Sequence, residues 1–133
     1  VLMQYVELIV ITAIIQFLFF GVMTGKARVK YGVKAPATTG EEGFERMYRV
    51  QMNTLEMLVI FIPTIFIASN YWSPLLTSGL GLVYLVGRFI YWRAYVTEPK
   101  SRGMGFMLSL IPSMLLMVLS VVGIMMSLVD GKA

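Results

Sequence analysis

Four polar side chains lie at helical spacing just before a long apolar run of the sequence. They are Arg46, Arg49, Asn53 and Glu56, separated by three, four and three residues. Residues three or four apart share one face of an α-helix, so the spacing predicts a single polar stripe. At a rise of about 1.5 Å per residue, the last member lies about 15 Å along the helix from the first.

A second stripe consists of Arg88, Tyr91 and Tyr95, separated by three and four residues, and Arg102 follows after a short turn. Guanidinium groups hold carboxylates through paired hydrogen bonds, and a carboxylate such as Glu56 can receive an ammonium. Amide and phenol groups add neutral hydrogen-bonding partners. Together these groups suit a small zwitterionic ligand that carries several charges.

The composition restricts the kind of protein that carries these stripes. Of the 133 residues, 58% are hydrophobic and 14% are charged, against about 45–50% and about 25% in soluble domains. A water-soluble enzyme is therefore not expected. The sequence has no histidine and no cysteine, which excludes a cysteine-ligated zinc site, a cysteine nucleophile, a catalytic triad and disulfide bonds.

Four apolar segments are long enough to cross a membrane, which takes about 20 residues. They span residues 5–23, about 46–70, 74–95 and 104–129. They lack the alternation of barrel strands, so helices are the expected membrane-spanning elements. The predicted fold is an all-α integral membrane protein, a four-transmembrane-helix bundle in a single domain over residues 1–133. Residues 24–43 are predicted to be its one long loop.

Within a membrane bundle, the polar stripes also fit a purely structural interpretation. Arg49 or Arg88 would neutralise Glu56, and Asn53 would join two helices by hydrogen bonds. Ionisable groups inside a membrane are costly, however, and they are functional candidates by default. The residues alone leave both interpretations open.

The basic residues predict the orientation of the bundle. Nine of the 11 Lys and Arg flank the first and third loops, and Lys132 stands alone near the C-terminus. By the positive-inside rule, these two loops face the cytoplasm and both termini face away from it. The net charge of +4 is no sign of nucleic-acid binding, because the cations lie at helix ends and no aromatic-interleaved surface domain accompanies them.

Four stretches resemble one known family. They are FERMYRVQMNTLE (44–56), GLVYLVGRFIYWRAY (81–95), TGKAR (24–28) and LIP (110–112). Together they resemble the membrane-associated proteins in eicosanoid and glutathione metabolism (MAPEG), over essentially the whole chain. The resemblance implies a homotrimer of four-helix protomers that binds glutathione between neighbouring protomers, near the cytoplasmic face. It also implies a role in detoxification or eicosanoid metabolism.

The resemblance assigns roles to individual residues. The positions that match the family's glutathione contacts are Arg28, Arg49, Asn53, Glu56, Tyr91 and Tyr95. Arg88 matches a basic position of the same motif and is assigned to the binding site with them. Arg102 matches the arginine that lies beside the glutathione sulfur, which makes it the expected catalytic residue.

The expected chemistry agrees with these residue types. A free thiol has a pKa of about 8.5, and the thiolate is the nucleophile. A neighbouring guanidinium such as that of Arg102 favours the anion and lowers this pKa. The resemblance therefore implies a glutathione transferase that acts on lipophilic electrophiles, which dissolve among the membrane lipids and approach the sulfur from the bilayer. Reduction of lipid peroxides is a further activity that it implies for the same thiolate.

Some positions depart from the family pattern, and two other functions remain as alternatives. Met57 stands where many members carry tyrosine, and Gly103 and Phe106 stand where the isomerase members carry serine and tyrosine. These departures favour transfer over isomerisation. One alternative is a non-enzymatic lipid-binding scaffold of the same fold. The other is a small multidrug transporter, which usually needs a carboxylate near the middle of its first helix, whereas Glu7 lies at the outer end.

Overall fold

Four long helices account for most of residues 2–131, the part of the chain that the computed structural model describes. The helices are α1 (Met3–Tyr31), α2 (Glu42–Ser69), α3 (Pro74–Thr97) and α4 (Gly103–Val129), with a 3₁₀ turn at Pro99–Ser101 between the last two. All four are long and apolar enough to cross a membrane. The predicted all-helical membrane bundle is therefore confirmed. Lys132 lies outside the described residues.

The first loop is much shorter than predicted. Helix α1 ends at Tyr31 rather than at residue 23, because lysine and arginine are good helix formers and leaving the apolar layer does not end a helix. Gly32 ends it by adopting a left-handed conformation, with φ of 71°, which favours glycine. Helix α2 then begins at Glu42 rather than near residue 46, after Glu41, whose carboxylate accepts a hydrogen bond from the Gly43 N–H at 3.4 Å.

Helices α3 and α4 pack closely through glycines. A Cβ added to Gly105 would lie 2.3 Å from the backbone nitrogen of Tyr91, and one added to Gly87 would lie 2.7 Å from the carbonyl carbon of Leu108. Small residues of this kind allow helix backbones to approach inside a membrane. The close packing brings the start of α4, where Arg102 lies, beside the end of α3, where Tyr91 and Tyr95 lie.

Buried apolar side chains fill both halves of the bundle. In the half that contains the N-terminus of α1, the Phe61 and Tyr84 rings stack with centroids 3.9 Å apart. In the other half, a cluster around Phe20, Phe44 and Val50 holds α1 and α2 against α3. The polar side chains predicted to bind a ligand are all found in this second half or at its border.

Candidate functional site

Three members of the first predicted stripe interact on the surface of α2. The Nη2 of Arg49 lies 2.7 Å from the Oε1 of Glu56, and the Nη1 lies 3.5 Å from the Oε2. The Nδ2 of Asn53 donates to the same carboxylate at 3.3 Å. The prediction that Arg49 neutralises Glu56 is confirmed. Because these two side chains are 45% and 58% exposed, the pair remains open to other partners.

Arg46 lies on the same helix, but its side chain does not join the hydrogen bonds of this group. It forms an ion pair with Glu42 at 2.5 Å. Its Nη1 also donates to the carbonyls of Val96 and Thr97, at 3.5 and 3.4 Å. The last carbonyls of a helix lack helical partners and attract cations. The long side chain of Arg46 is drawn to the end of α3 for this reason.

Arg88 lies inside the bundle, behind Asn53. Its side chain is fully buried, and its Nη1 donates to the Oδ1 of Asn53 at 2.9 Å and to the Oγ1 of Thr54 at 3.2 Å. Its Nε donates to the Oγ of Ser109 at 2.8 Å, and its guanidinium carbon lies 4.3 Å from the centroid of the Tyr91 ring. Arg88 thus links α2, α3 and α4. It is not among the described residues that line the cavity in front of Asn53, and its assignment as a ligand contact stays a prediction.

Asn53 is the bridge between the buried arginine and the exposed ion pair. Its oxygen accepts from Arg88 on α3, while its amide nitrogen donates to Glu56 on α2. The expectation that Asn53 joins two helices is confirmed. The hydrogen bond from Arg88 also determines which end of the amide faces outward, since a guanidinium has donors and no acceptor. The outward end is the Nδ2 donor.

A cavity of about 640 Å³ lies between the first half of α2, the last turns of α3 and the start of α4. We call it the main cavity. Its described wall consists of Arg49, Asn53, Tyr91, Tyr95, Lys100, Arg102, Gly103 and Phe106. The volume falls in the range of small-molecule sites, which is about 300–1,000 Å³. Five of the eight residues predicted for the site therefore meet in one cavity, and Glu56 adjoins it through its ion pair with Arg49.

Arg102 stands at the entrance of the main cavity. Its Nη1 donates to the carbonyl of Pro99 at 2.9 Å, so the 3₁₀ turn restrains the side chain. Its guanidinium carbon lies 6.0 Å from the centroid of the Tyr95 ring. The first turn of α4 follows directly, and a helix N-terminus favours negative charge. The guanidinium of Arg102 and the N-terminus of α4 therefore both favour an anion at this end of the main cavity.

Lys100 and Phe106 were not predicted as wall residues. Lys100 belongs to the 3₁₀ turn that precedes Arg102 and is one of the cations that flank the third loop. Phe106 lies one helical turn after Arg102, which places both side chains on one face of α4. Its ring centroid is 6.2 Å from that of Tyr91, so it gives the main cavity an apolar side. Helical spacing from Arg102 was the signal that could have identified it.

Arg28, like Arg88, is a predicted site residue that is not among the described wall residues of the main cavity. Its Nη1 donates to the carbonyls of Ala37, at 2.8 Å, and Val33, at 3.5 Å. Its guanidinium carbon lies 4.6 Å from the centroid of the Phe44 ring. Within one chain Arg28 braces the loop between α1 and α2. The helix that carries it continues past the predicted end, so its side chain meets this loop and not the cavity.

Comparison with known proteins identifies relatives over most of the chain. The family model that matches, over residues 6–122, is described as the MAPEG family. An uncharacterized protein of Synechocystis sp. is 41% identical over 121 residues, which cover 91% of this chain and 88% of that protein. Microsomal glutathione S-transferase 2 of Homo sapiens is 43% identical over 112 residues, 84% of this chain and 76% of that protein. Leukotriene C4 synthase of Cavia porcellus is 34% identical over 84 residues, 63% of this chain and 56% of that protein.

Proposed function

The chain belongs to the MAPEG family, and from this premise we propose that it is a membrane-bound glutathione transferase with glutathione as cosubstrate. The observation that carries the proposal is the main cavity, which gathers Arg49, Asn53, Tyr95 and Arg102 at one end of the bundle. The relatives named microsomal glutathione S-transferase 2 add support, since they match most of the chain.

The groups in the cavity fit the charges of glutathione, which has two carboxylates, one ammonium and one thiol. The exposed Arg49–Glu56 pair complements an α-amino-acid end, whose carboxylate would face Arg49 and whose ammonium would face Glu56. Because the pair is already formed at 2.7 Å, the ligand exchanges one set of ionic partners for another. The Asn53 amide nitrogen supplies a donor for a peptide or carboxylate oxygen, and the tyrosine hydroxyls supply others.

Arg102 would hold the sulfur as a thiolate. The thiol proton leaves to solvent, and the guanidinium, which stays protonated, stabilises the remaining anion. The sulfur then forms a bond to an electrophilic carbon. Either a leaving group departs with the electron pair or, in an epoxide, the ring oxygen receives it. Phe106 provides an apolar surface beside the reacting atoms, and this surface suits a lipophilic partner.

The second substrate is proposed to come from the bilayer. An apolar groove of about 410 Å³ runs between α3 and α4, and its wall includes Val83, Met107 and Ile111. Gly103 lines both this groove and the main cavity. A lipophilic electrophile, or a lipid peroxide that the same thiolate reduces, would therefore reach the sulfur without crossing water.

A homotrimer with both termini on the non-cytoplasmic side completes the proposal. The main cavity is open along α2, where Arg49 and Glu56 are half exposed on a helix that is apolar enough to lie in a membrane. Cover from a neighbouring protomer would shield these charges from lipid, which is otherwise costly. Such a neighbour could also bring its own Arg28 to the ligand.

The experiment that tests this function is the conjugation of glutathione to a chlorinated nitroarene by the purified protein in detergent. We expect turnover in the wild type and a loss of about 100-fold in the Arg102→Ala variant, in the range of electrostatic stabilisers of a reacting anion. Lys34→Ala, which removes an exposed cation from the loop between α1 and α2, is the matched control and should keep full activity. Fatty-acid binding without glutathione binding or turnover would instead indicate the scaffold alternative.

A further inference from the structure

A second cavity lies at the same end of the bundle as the main cavity and shares no described wall residue with it. It has a volume of about 470 Å³ and lies between the last turns of α1, the first turns of α2 and the end of α3. We call it the second cavity. The proposed transferase chemistry does not use any of its residues.

The polar wall of the second cavity is strongly basic. It includes Lys26, Lys30, Arg46 and Arg93, and none of its described residues is acidic. Glu42 pairs with Arg46 from outside the wall, while no ion pair is formed by the other three cations with the residues described. The Nε of Arg46 is buried and has no hydrogen-bond partner in the described part of the chain. The cavity therefore carries an excess of positive charge and an unused donor.

The rest of the wall is apolar and continues towards the middle of the membrane. Met23, Met47 and Trp92 line the cavity. The Trp92 ring packs edge-on against Phe19, with centroids 5.3 Å apart, and lies 6.4 Å from Phe89. Both phenylalanines come about one helical turn before cavity residues of their helices and are exposed on the bundle surface. An apolar track thus leads from the basic wall along α1 and α3.

A ligand that matches this surface has a negatively charged head and a long apolar tail. Soluble anions match only the basic wall, and zwitterionic lipids bring no net charge to it. Basic pockets between membrane helices hold the headgroups of anionic lipids, and each nearby cation strengthens such binding. We propose that the second cavity binds the phosphate headgroup of an anionic phospholipid, whose acyl chain lies along Phe19, Trp92 and Phe89. This site is independent of the proposed transferase function.

Tryptophan fluorescence can test the proposal, because the chain has two tryptophans and they lie at opposite ends of α3. The Trp72→Phe variant keeps only Trp92, in the second cavity. The full-length variant is reconstituted in phosphatidylcholine vesicles, with either brominated phosphatidylglycerol or brominated phosphatidylcholine as the quencher. We expect the relative binding constant of the anionic lipid to exceed that of the zwitterionic lipid by well over about tenfold, since several cations each contribute about 1 kcal/mol. The Trp92→Phe variant, which reports from Trp72, should show no such preference.

Charge variants in the Trp72→Phe background distinguish binding of anionic lipid in the second cavity from general electrostatic attraction of anionic lipid to the protein surface. Lys30→Gln is expected to lower the preference about fivefold, from a contribution of about 1 kcal/mol per cation near the surface. Lys34→Gln removes one exposed charge outside the cavity and should leave the preference almost unchanged. Circular dichroism of each variant checks that the helices are retained.

Three results would overturn the proposal. Equal quenching of Trp92 by the two brominated lipids would show that the second cavity does not select an anionic headgroup. Equal effects of Lys30→Gln and Lys34→Gln would mean that the basic face attracts anionic lipid without a defined cavity. Displacement of the brominated lipid by soluble glycerol phosphate would show that the occupant is a free phosphate compound rather than a lipid.

Discussion

Replacement of Arg88 by methionine is expected to weaken glutathione binding while costing the fold less stability than the loss of three hydrogen bonds alone would cost. Two of its partners, Thr54 and Ser109, keep hydrogen bonds of their own, since each hydroxyl donates to a backbone carbonyl one turn earlier at 2.8 Å. The Oδ1 of Asn53 loses its partner in the described structure. The variant therefore acts mainly on the orientation of one amide.

Opposing effects set the size of the change in stability. The three hydrogen bonds from Arg88 contribute about 1.5–3 kcal/mol each when the donor is charged. Arg88 is fully buried and forms no ion pair with the residues described, so its removal also removes a desolvation penalty of several kcal/mol. Because the two effects oppose each other, the net loss of unfolding free energy is expected to be about 0.5–3 kcal/mol, as for most single substitutions.

The effect on binding comes from Asn53. Without Arg88, only the hydrogen bond to Glu56 holds the amide. Once the ligand ammonium occupies Glu56, the amide can turn its oxygen outward, and the ligand then loses one hydrogen-bond donor. That loss corresponds to about 1–1.5 kcal/mol, or a rise in the glutathione Kd of about fivefold to tenfold. The Arg88→Lys variant keeps a charged donor at this position and should recover part of the affinity.

Calorimetric titration of glutathione, together with thermal unfolding in detergent, measures both quantities. Asn53→Ala provides the reference, because Arg88→Met should have no further effect on Kd in that background. Coupled residues give non-additive effects of this kind, whereas independent residues give additive ones. Additive losses of affinity, or a Kd unchanged in Arg88→Met, would refute the role of Arg88 as the residue that positions Asn53.

Further predictions concern packing and ligand charge. Gly105→Ala should destabilise the fold by about 1–3 kcal/mol and so lower its Tm in detergent, because the added Cβ would lie 2.3 Å from the Tyr91 backbone. Gly79→Ala is the control and should not lower Tm, since a Cβ there meets nothing within 4 Å. Equal effects of the two variants would contradict the close packing of α3 and α4. Glu56→Gln should raise the Kd of glutathione about tenfold, from the loss of a charge-assisted hydrogen bond. The same variant should not change the Kd of an analogue without the glutamyl amino group, and a change there would argue against the ammonium as the partner of Glu56.

The parts of the site that could be predicted from sequence depend on the regularity of a single helix. Arg49, Asn53 and Glu56 are spaced by four and three residues, and helical geometry alone brings them together. The length of a membrane-spanning segment likewise follows from hydropathy. The end of α1 does not, because Tyr31 lies well beyond the apolar layer and only the backbone conformation of Gly32 ends the helix.

What could not be predicted depends on which way a residue faces. Helix α3 is mostly apolar outside the stripe of Arg88, Tyr91 and Tyr95, and it also carries Arg93 on another face. Polarity around the helix therefore does not distinguish the side that faces the core from the side that faces lipid or solvent. The burial of Arg88 behind Asn53 is consequently visible only in the packed bundle. Arg46 and Arg28 have long side chains that reach carbonyl groups of other segments, and a spacing rule contains no information about those partners.

Thiolate formation on the protein can be measured directly by the ultraviolet absorbance of bound glutathione as a function of pH. If Arg102 stabilises the anion, the absorbance should rise at a pH well below about 8.5, the pKa of a free thiol, and should level off above that inflection. In Arg102→Ala the inflection should move up towards the free value. The Kd should change little only when it is measured well below the wild-type inflection, where bound glutathione is a neutral thiol in both proteins. An inflection near the free value in the wild type, or one that does not move in Arg102→Ala, would contradict the proposed catalytic role of Arg102.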